Sequence, residues 1–278
     1  MIVLSHFQIK PLLYARKKGA DSAITSDDLG MTSVEVPISA EGITFAEGSL
    51  LSWDDAEEIS EQENACFAFD GDSIRKIQAF SDVTNRHCSL YPTESAPTIL
   101  IAGFPMHRIK GTNPYQDTLA KIKAANPMGR VLDTSMGLGY TAIQAAKTAE
   151  HVITVELDPS VMEVARQNPW SRELFDNPKI ERRIADSFDE VATFGVETFS
   201  RIIHDPPTMQ LAGDLYSGEF YRELHRILKP NGRLFHYIGD LESSFGSRVA
   251  KGVVERLGKV GFRSVTRRNE AFGVVASK

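Results

Sequence analysis

Apolar and polar positions follow two different rhythms along the chain. Up to about residue 100 the pattern is one of strands and turns. Ser33-Val-Glu-Val-Pro-Ile38 alternates with period two, as a strand with one buried face does. Residues 43–45 follow Ala40-Glu41-Gly42 at hairpin spacing. Residues 66–69, the step Asp70-Gly71-Asp72 and residues 74–80 read as a second hairpin, because Asp-Gly suits a tight turn. One helix is expected over about 53–61, with Ser52 as its N-cap and Asp55 as the acid of its first turn. The pattern predicts a small β-rich N-terminal domain, residues 1–100.

From about residue 112 the rhythm becomes strand, turn, helix, repeated. Strands are expected at 131–133, 151–156, 180–185, 201–204, 234–238 and 272–276. Helices are expected at 141–148, 159–166, 218–228 and 248–258, the third stopped by Pro230 and Gly232. Such alternation predicts an α/β domain over residues 101–278, with a mostly parallel sheet and helices on both faces. In such sheets ligands sit beyond the carboxyl ends of the strands, so chemistry is sought there.

The first of these strands ends in Asp133, followed by Thr134-Ser-Met-Gly137-Leu-Gly139-Tyr140. Two glycines let the backbone turn sharply and approach a ligand closely, and the next helix presents amide donors to it. Gly137-Leu-Gly139-Tyr-Thr-Ala142 fits the dinucleotide pattern with alanine in the third glycine slot, a weak signal alone. Glu156 ends the next strand, where a carboxylate can accept from both ribose hydroxyls. Asp186 ends the third, where one can accept from an adenine amino group. Each acid alone reads as readily as a cap or loop residue. Three at adjacent strand ends read as a nucleoside site.

These segments resemble the class I S-adenosylmethionine-dependent methyltransferases over about residues 110–278. The resemblance rests on Val131-Leu-Asp-Thr-Ser-Met-Gly-Leu-Gly-Tyr140, Val155-Glu156-Leu-Asp158, Ala185-Asp186-Ser187, His204-Asp-Pro-Pro-Thr208 and Ile227-Leu-Lys-Pro-Asn-Gly-Arg-Leu234. The whole chain resembles a group of uncharacterised predicted archaeal methyltransferases. The resemblance implies a Rossmann-like sheet of seven strands, the last antiparallel, and S-adenosylmethionine as cofactor. Gly137 and Gly139 would underlie its methionine part, with Asp133 near the amino group and Thr134 and Tyr140 in the same turn. Glu156 would hold the ribose, Asp186 the adenine, and Leu157 and Ser187 would lie beside the adenosine. Gly139→Arg is expected to block this loop and leave the fold intact.

Asp205-Pro206-Pro207-Thr208 closes the fourth strand of that domain. A similar Asp/Asn-Pro-Pro-aromatic segment lies beside the methyl group in methyltransferases acting on planar amines, and Thr208 departs from it. Asp205, Pro206 and Thr208 are the candidate catalytic segment. A carboxylate and a proline-held carbonyl can accept hydrogen bonds from an amine and aim its lone pair. The bland alternative is a rigid strand-end turn. Tyr115, His204, Tyr216 and Tyr221 are candidate substrate contacts, with core packing as the alternative for each.

Composition changes this picture little. Two cysteines in 278 residues exclude a disulfide scaffold, and no metal-type pair is present. No apolar run approaches the length of a membrane span, and no secretory leader is read, so a cytoplasmic protein is expected. The net charge of −6 is uneven, with −7 in residues 1–110 and +1 in the rest. No long nucleic-acid tract is expected as a partner. The expected activity is methyl transfer to a nitrogen of a small amine, RNA or protein side chain, and a homo-oligomer remains open. The alternatives are a spermidine synthase-like aminopropyltransferase, a non-catalytic S-adenosylmethionine-binding protein and an NAD-dependent oxidoreductase. The lack of further acids beside the two prolines weighs against the first of these.

Overall fold

The computed structural model describes residues 1–278, the side chain of Glu47 excepted. By internal contacts the chain divides into two units. One is Met1–Tyr115 with Ser160–Arg172, and the other is Gln116–Pro159 with Glu173–Lys278.

The first unit is a set of small antiparallel sheets. Ile2–Leu4, Phe67–Phe69 and Ile74–Lys76 form one, and Gln78–Ser81, Arg86–Tyr91, Thr98–Ile101 and Phe104–Pro105 form another. The expected strand over 74–80 is therefore two strands in two sheets, divided at the buried Ile77. The helix expected over about 53–61 is Trp53–Glu61, and the Ser52 hydroxyl accepts from the Asp55 N–H at 3.1 Å. A second helix, His6–Lys17, is absent from the reading of the sequence. Pro11 lies inside it and interrupts the helical pattern, while Ser5 and Gln8 close a reciprocal capping box at its start. Ile9 and Leu12 bury with Leu4, Ile43, Phe67 and Phe69.

In the second unit one sheet gathers seven strands. They are β1 (Gly129–Asp133), β2 (Ala149–Glu156), β3 (Ile180–Ile184), β4 (Phe199–His204), β5 (Leu228–Tyr237), β6 (Arg263–Arg268) and β7 (Gly273–Ser277). Their order is β3-β2-β1-β4-β5-β7-β6. β1 to β5 are parallel, and β7 runs antiparallel to both β5 and β6. This is the expected α/β architecture: a seven-stranded central sheet with helices, preceded by a small β-rich region. β6 carries basic residues at Arg263, Arg267 and Arg268 and is largely exposed, so no apolar period announced it.

Five helices matter below: α1 (Pro114–Ala125), α2 (Tyr140–Ala146), α3 (Ser187–Thr193), α4 (Gly218–Ile227) and α5 (Ser244–Lys259). α4 shows how such a helix is specified. Ser217 caps it by accepting from the Phe220 N–H at 3.0 Å, and Phe220, Tyr221, Leu224 and Ile227 form its buried stripe. They pack with Leu132, Ile153, Ile202 and Leu234 of the sheet in one apolar cluster. α5 begins four residues before the expected 248, because Ser243 caps it and Gly246 fits where a Cβ would lie 1.9 Å from the Asp240 carbonyl oxygen.

Candidate active site

Parallel pairing brings the carboxyl ends of β1 to β5 to one edge. Asp133 pairs with Thr154 and Ile203, Glu156 with Ile184, and His204 with His236. That edge therefore carries Asp133, Glu156, Asp186 and Asp205.

Asp133 is fully buried. Its Oδ2 accepts from the hydroxyls of Thr141 on α2 (3.0 Å) and Thr154 on β2 (2.9 Å), while its Oδ1 has no hydrogen-bond partner. Burial pushes its carboxyl up to about 7, against the two hydroxyls, and the negative Asp205 adds to the rise. The turn after β1 bends through Gly137 (φ 53°) and Gly139 (φ 79°). The Gly137 N–H donates to Glu156 Oε2 at 2.9 Å, and the Asp158 N–H to its Oε1 at 3.1 Å. The two glycines differ. A Cβ at Gly137 would meet nothing within 4 Å, whereas one at Gly139 would lie 2.5 Å from Leu174 Cδ2. Gly139 is therefore fixed by packing, and Gly139→Arg would disturb the fold as well as the loop, against expectation. Tyr140 is buried at the start of α2.

Asp186 is exposed and caps α3, accepting from the Phe188 N–H at 2.8 Å. Leu157 is 46% exposed beside Glu156, an apolar surface at the edge where the strand-end acids gather. The Ser187 hydroxyl donates to the Thr134 carbonyl at 2.6 Å, tying the turn after β3 to the turn after β1.

Asp205 follows β4. Its Oδ2 lies 2.7 Å from the ammonium of Lys121, which also sits 3.0 Å from Asp117 Oδ2 and 4.4 Å over the ring of Tyr237. Asp117 and Lys121 are one turn apart on α1 and almost wholly buried, and Asp205 is mostly so. Lys121 is absent from the sequence reading. Beside Lys123 in Ala120-Lys121-Ile122-Lys123 it looks like an ordinary solvated helix position. Pro206 is buried and Thr208 exposed, and the Thr208 carbonyl accepts from the Leu211 N–H at 2.8 Å to start the following turn.

Three candidate substrate contacts prove to be interior groups. His204, Tyr216 and Tyr221 are buried. The Leu215 carbonyl can only accept, so His204 Nε2 carries the proton and donates to it at 2.9 Å. Its Nδ1 then accepts from the Thr134 hydroxyl at 2.7 Å. Burial pushes this imidazole down to about 3 and keeps it neutral. The Tyr216 hydroxyl donates to the Pro207 carbonyl at 3.1 Å, and the Tyr221 hydroxyl pairs with His236 Nε2 at 2.8 Å. These rings brace the segment after β4 from beneath. Tyr115 lies in the first unit, 5.8 Å from the ring of Trp170. Among the described residues no group of His, Cys, Asp and Glu has the arrangement of a metal site, and no helix is long and apolar enough to cross a membrane.

Residues 132–245 match the spermine/spermidine synthase domain. An uncharacterised protein of Methanocaldococcus jannaschii, MJ1233, is 48% identical over 237 residues, covering 84% of this chain and 80% of the relative. A polyamine aminopropyltransferase of Aeropyrum pernix is 33% identical over 110 residues, covering 37% of this chain and 35% of the relative. The crystal structure of spermidine synthase from Thermotoga maritima shares the fold, with a TM-score of 0.55 at 22% identity over 72% of this chain and 70% of that one. The domain match and the Aeropyrum pernix relative overturn the expectation of methyl transfer and favour its rival, aminopropyl transfer. The physical reason lies in the fold: the segment after β4 by itself offers only Asp205 beside its prolines, whereas the second unit also draws Asp133 from β1 and Asp117 from α1 toward the same edge.

Proposed function

The chain belongs to the family of MJ1233 of Methanocaldococcus jannaschii, and on that footing we propose that it is an aminopropyltransferase. It moves a 3-aminopropyl group from decarboxylated S-adenosylmethionine, used as a substrate, to an amine. One observation carries the reading: the match to the spermine/spermidine synthase domain begins at β1 and extends past β5, so it takes in Asp133, Glu156, Asp186 and Asp205.

The chemistry of the edge supports this donor. Decarboxylated S-adenosylmethionine carries a sulfonium and an ammonium and has no carboxylate. An edge with four acids, whose nearest ammonium is already held between Asp117 and Asp205, complements two cations better than it does a carboxylate. The unpartnered, buried Oδ1 of Asp133 is a place for the donor's ammonium. Glu156 holds the ribose, the open turn at Gly137 admits the chain beyond the sulfur, and Leu157, Asp186 and Ser187 border the adenine.

The acceptor attacks as a neutral amine. Its lone pair forms a bond to the propyl carbon attached to sulfur, and the carbon–sulfur bond breaks. Its electrons stay on sulfur, giving neutral 5′-methylthioadenosine, and the positive charge passes to the new ammonium. Asp205 accepts a hydrogen bond from the incoming amine, aligns it, and stabilises the charge that develops on nitrogen.

The test pairs calorimetry with mass spectrometry. The protein should bind decarboxylated S-adenosylmethionine in the micromolar range. It should add one aminopropyl unit to at least one member of a series of linear diamines and triamines. Tight binding with no product across the series would overturn the enzymatic reading, and absence of binding would overturn the site.

A further inference from the structure

Lys121 is the one cation among the described residues set within this acidic edge, and neither the sequence pattern nor the likeness to known enzymes gives it a role. Its side chain is 2% exposed, and its ammonium is taken up by protein groups. Its ammonium has three partners: Asp205 Oδ2 at 2.7 Å, Asp117 Oδ2 at 3.0 Å and the face of Tyr237 at 4.4 Å. The first is a hydrogen bond, the second an ion pair and the third a cation–π contact. Burying such a group without partners would cost several kcal/mol per ion, so its placement needs both acids. The reverse also holds. Asp117 and Asp205 are like charges reaching toward one point, and Asp133 feels the charge of Asp205 across the same edge. Without a cation they would repel, and one would take a proton.

We infer that Lys121 is the positioning residue of this site: its buried ammonium clamps the Asp205 carboxylate in one orientation and supplies the counter-charge that lets Asp117, Asp133 and Asp205 share one edge. The inference rests on the aminopropyl-transfer reading for its catalytic consequence, but the clamp itself has a readout independent of activity. The charged and titratable groups that bear on Asp205 include Lys121, Asp117 and Tyr237 (both through Lys121), Asp133 and Tyr216. Lys121 supplies the positive charge in direct contact with it, so removing Lys121 should raise its titration.

The experiment compares the wild type with Lys121→Met and Lys121→Met/Asp117→Asn in the full chain. Side-chain carboxyl carbons are followed by NMR through a pH titration, the Asp205 signal being assigned with Asp205→Asn. In Lys121→Met the Asp205 carboxyl should titrate at least one pH unit higher than in the wild type. The added Asp117→Asn should bring it part of the way back by removing the repelling neighbour. With decarboxylated S-adenosylmethionine and the best amine of the series, Lys121→Met should lower kcat at least 30-fold. It should leave donor affinity within threefold and move the acid limb of the pH–rate profile upward with the Asp205 titration. An unmoved Asp205 titration overturns the clamp, whether or not the protein turns over. A moved titration with unchanged kcat overturns the catalytic consequence alone. If the wild type transfers nothing, the function fails while the titration still decides the clamp. Should Lys121→Met not fold, Asp117→Asn alone provides the test. It removes the competing carboxylate from Lys121, so the Asp205 titration should move downward, and an unmoved or upward titration would overturn the clamp.

Discussion

Asp133 departs furthest from the chemistry of a free carboxylate. Its unfolded-state pKa is about 3.9, and burial raises it in the folded protein to about 7. Between those values the folded state holds a proton that the unfolded state releases. Its contribution to stability is therefore full below about pH 4 and is lost as pH rises toward 7. Asp133→Asn should remove this contribution, so from pH 5 to 8 the wild type should lose on the order of a few kcal/mol more stability than the variant, Glu156, which burial likewise raises to about 7, titrating in both. Parallel thermal melts measure this, and equal slopes in both proteins would refute it. In the proposed reaction Asp205 stands at the reacting end. Asp205→Asn keeps the shape but loses the charge that meets the new ammonium, so kcat should fall about 10²–10⁴-fold with donor affinity within tenfold. A fully active variant would remove Asp205 from the mechanism. Asp133, Glu156 and Asp205 were legible because each follows an apolar strand directly. Lys121 was not, since its burial depends on two acids, one of them 84 residues away in sequence.

At the scale of elements, the turn between β1 and α2 separates two uses of glycine. Gly139 has φ 79° and Leu174 against its α-carbon. Gly139→Ala should cost about 1–3 kcal/mol of stability and show as a lower melting temperature. Gly137 has φ 53° and open space. Gly137→Ala should cost about 1 kcal/mol in stability and weaken donor binding more than Gly139→Ala does relative to its stability loss. Calorimetry beside thermal melts separates the two, and equal effects on binding would remove Gly137 from the pocket. The pattern of the chain made both glycines look alike, because Leu174 reaches Gly139 from another element. The same limit explains His204, Tyr216 and Tyr221. Position beside a strand end suggested contact with a substrate, whereas their hydroxyl and imidazole groups are used inward, on Pro207, Thr134, Leu215 and His236. Strands β1, β2, β4 and β5 were legible from apolar runs, and β3, Ile180-Glu-Arg-Arg-Ile184, from its place in the alternation of strands and helices. The helix at His6–Lys17 was hidden by Pro11, and β6 by its exposed arginines.

For the whole molecule, alternation of strands and helices was enough to give the α/β class and the edge where acids gather. It was not enough to give the reaction. An adenosyl pocket needs the same ribose and adenine partners whether the sulfonium carries a methyl group to transfer or a 3-aminopropyl chain. The two donors differ by one carboxylate, and in the proposed site the charges that would discriminate them come from α1 and β1 as well as from the segment after β4. The identity of the donor separates the two reactions. One reaction containing S-adenosylmethionine, decarboxylated S-adenosylmethionine and a mixture of linear diamines and triamines tells them apart, with nucleoside products separated by chromatography. The expected result is 5′-methylthioadenosine accumulating in step with aminopropylated amine. Accumulation of S-adenosylhomocysteine instead, or of neither nucleoside, would refute aminopropyl transfer.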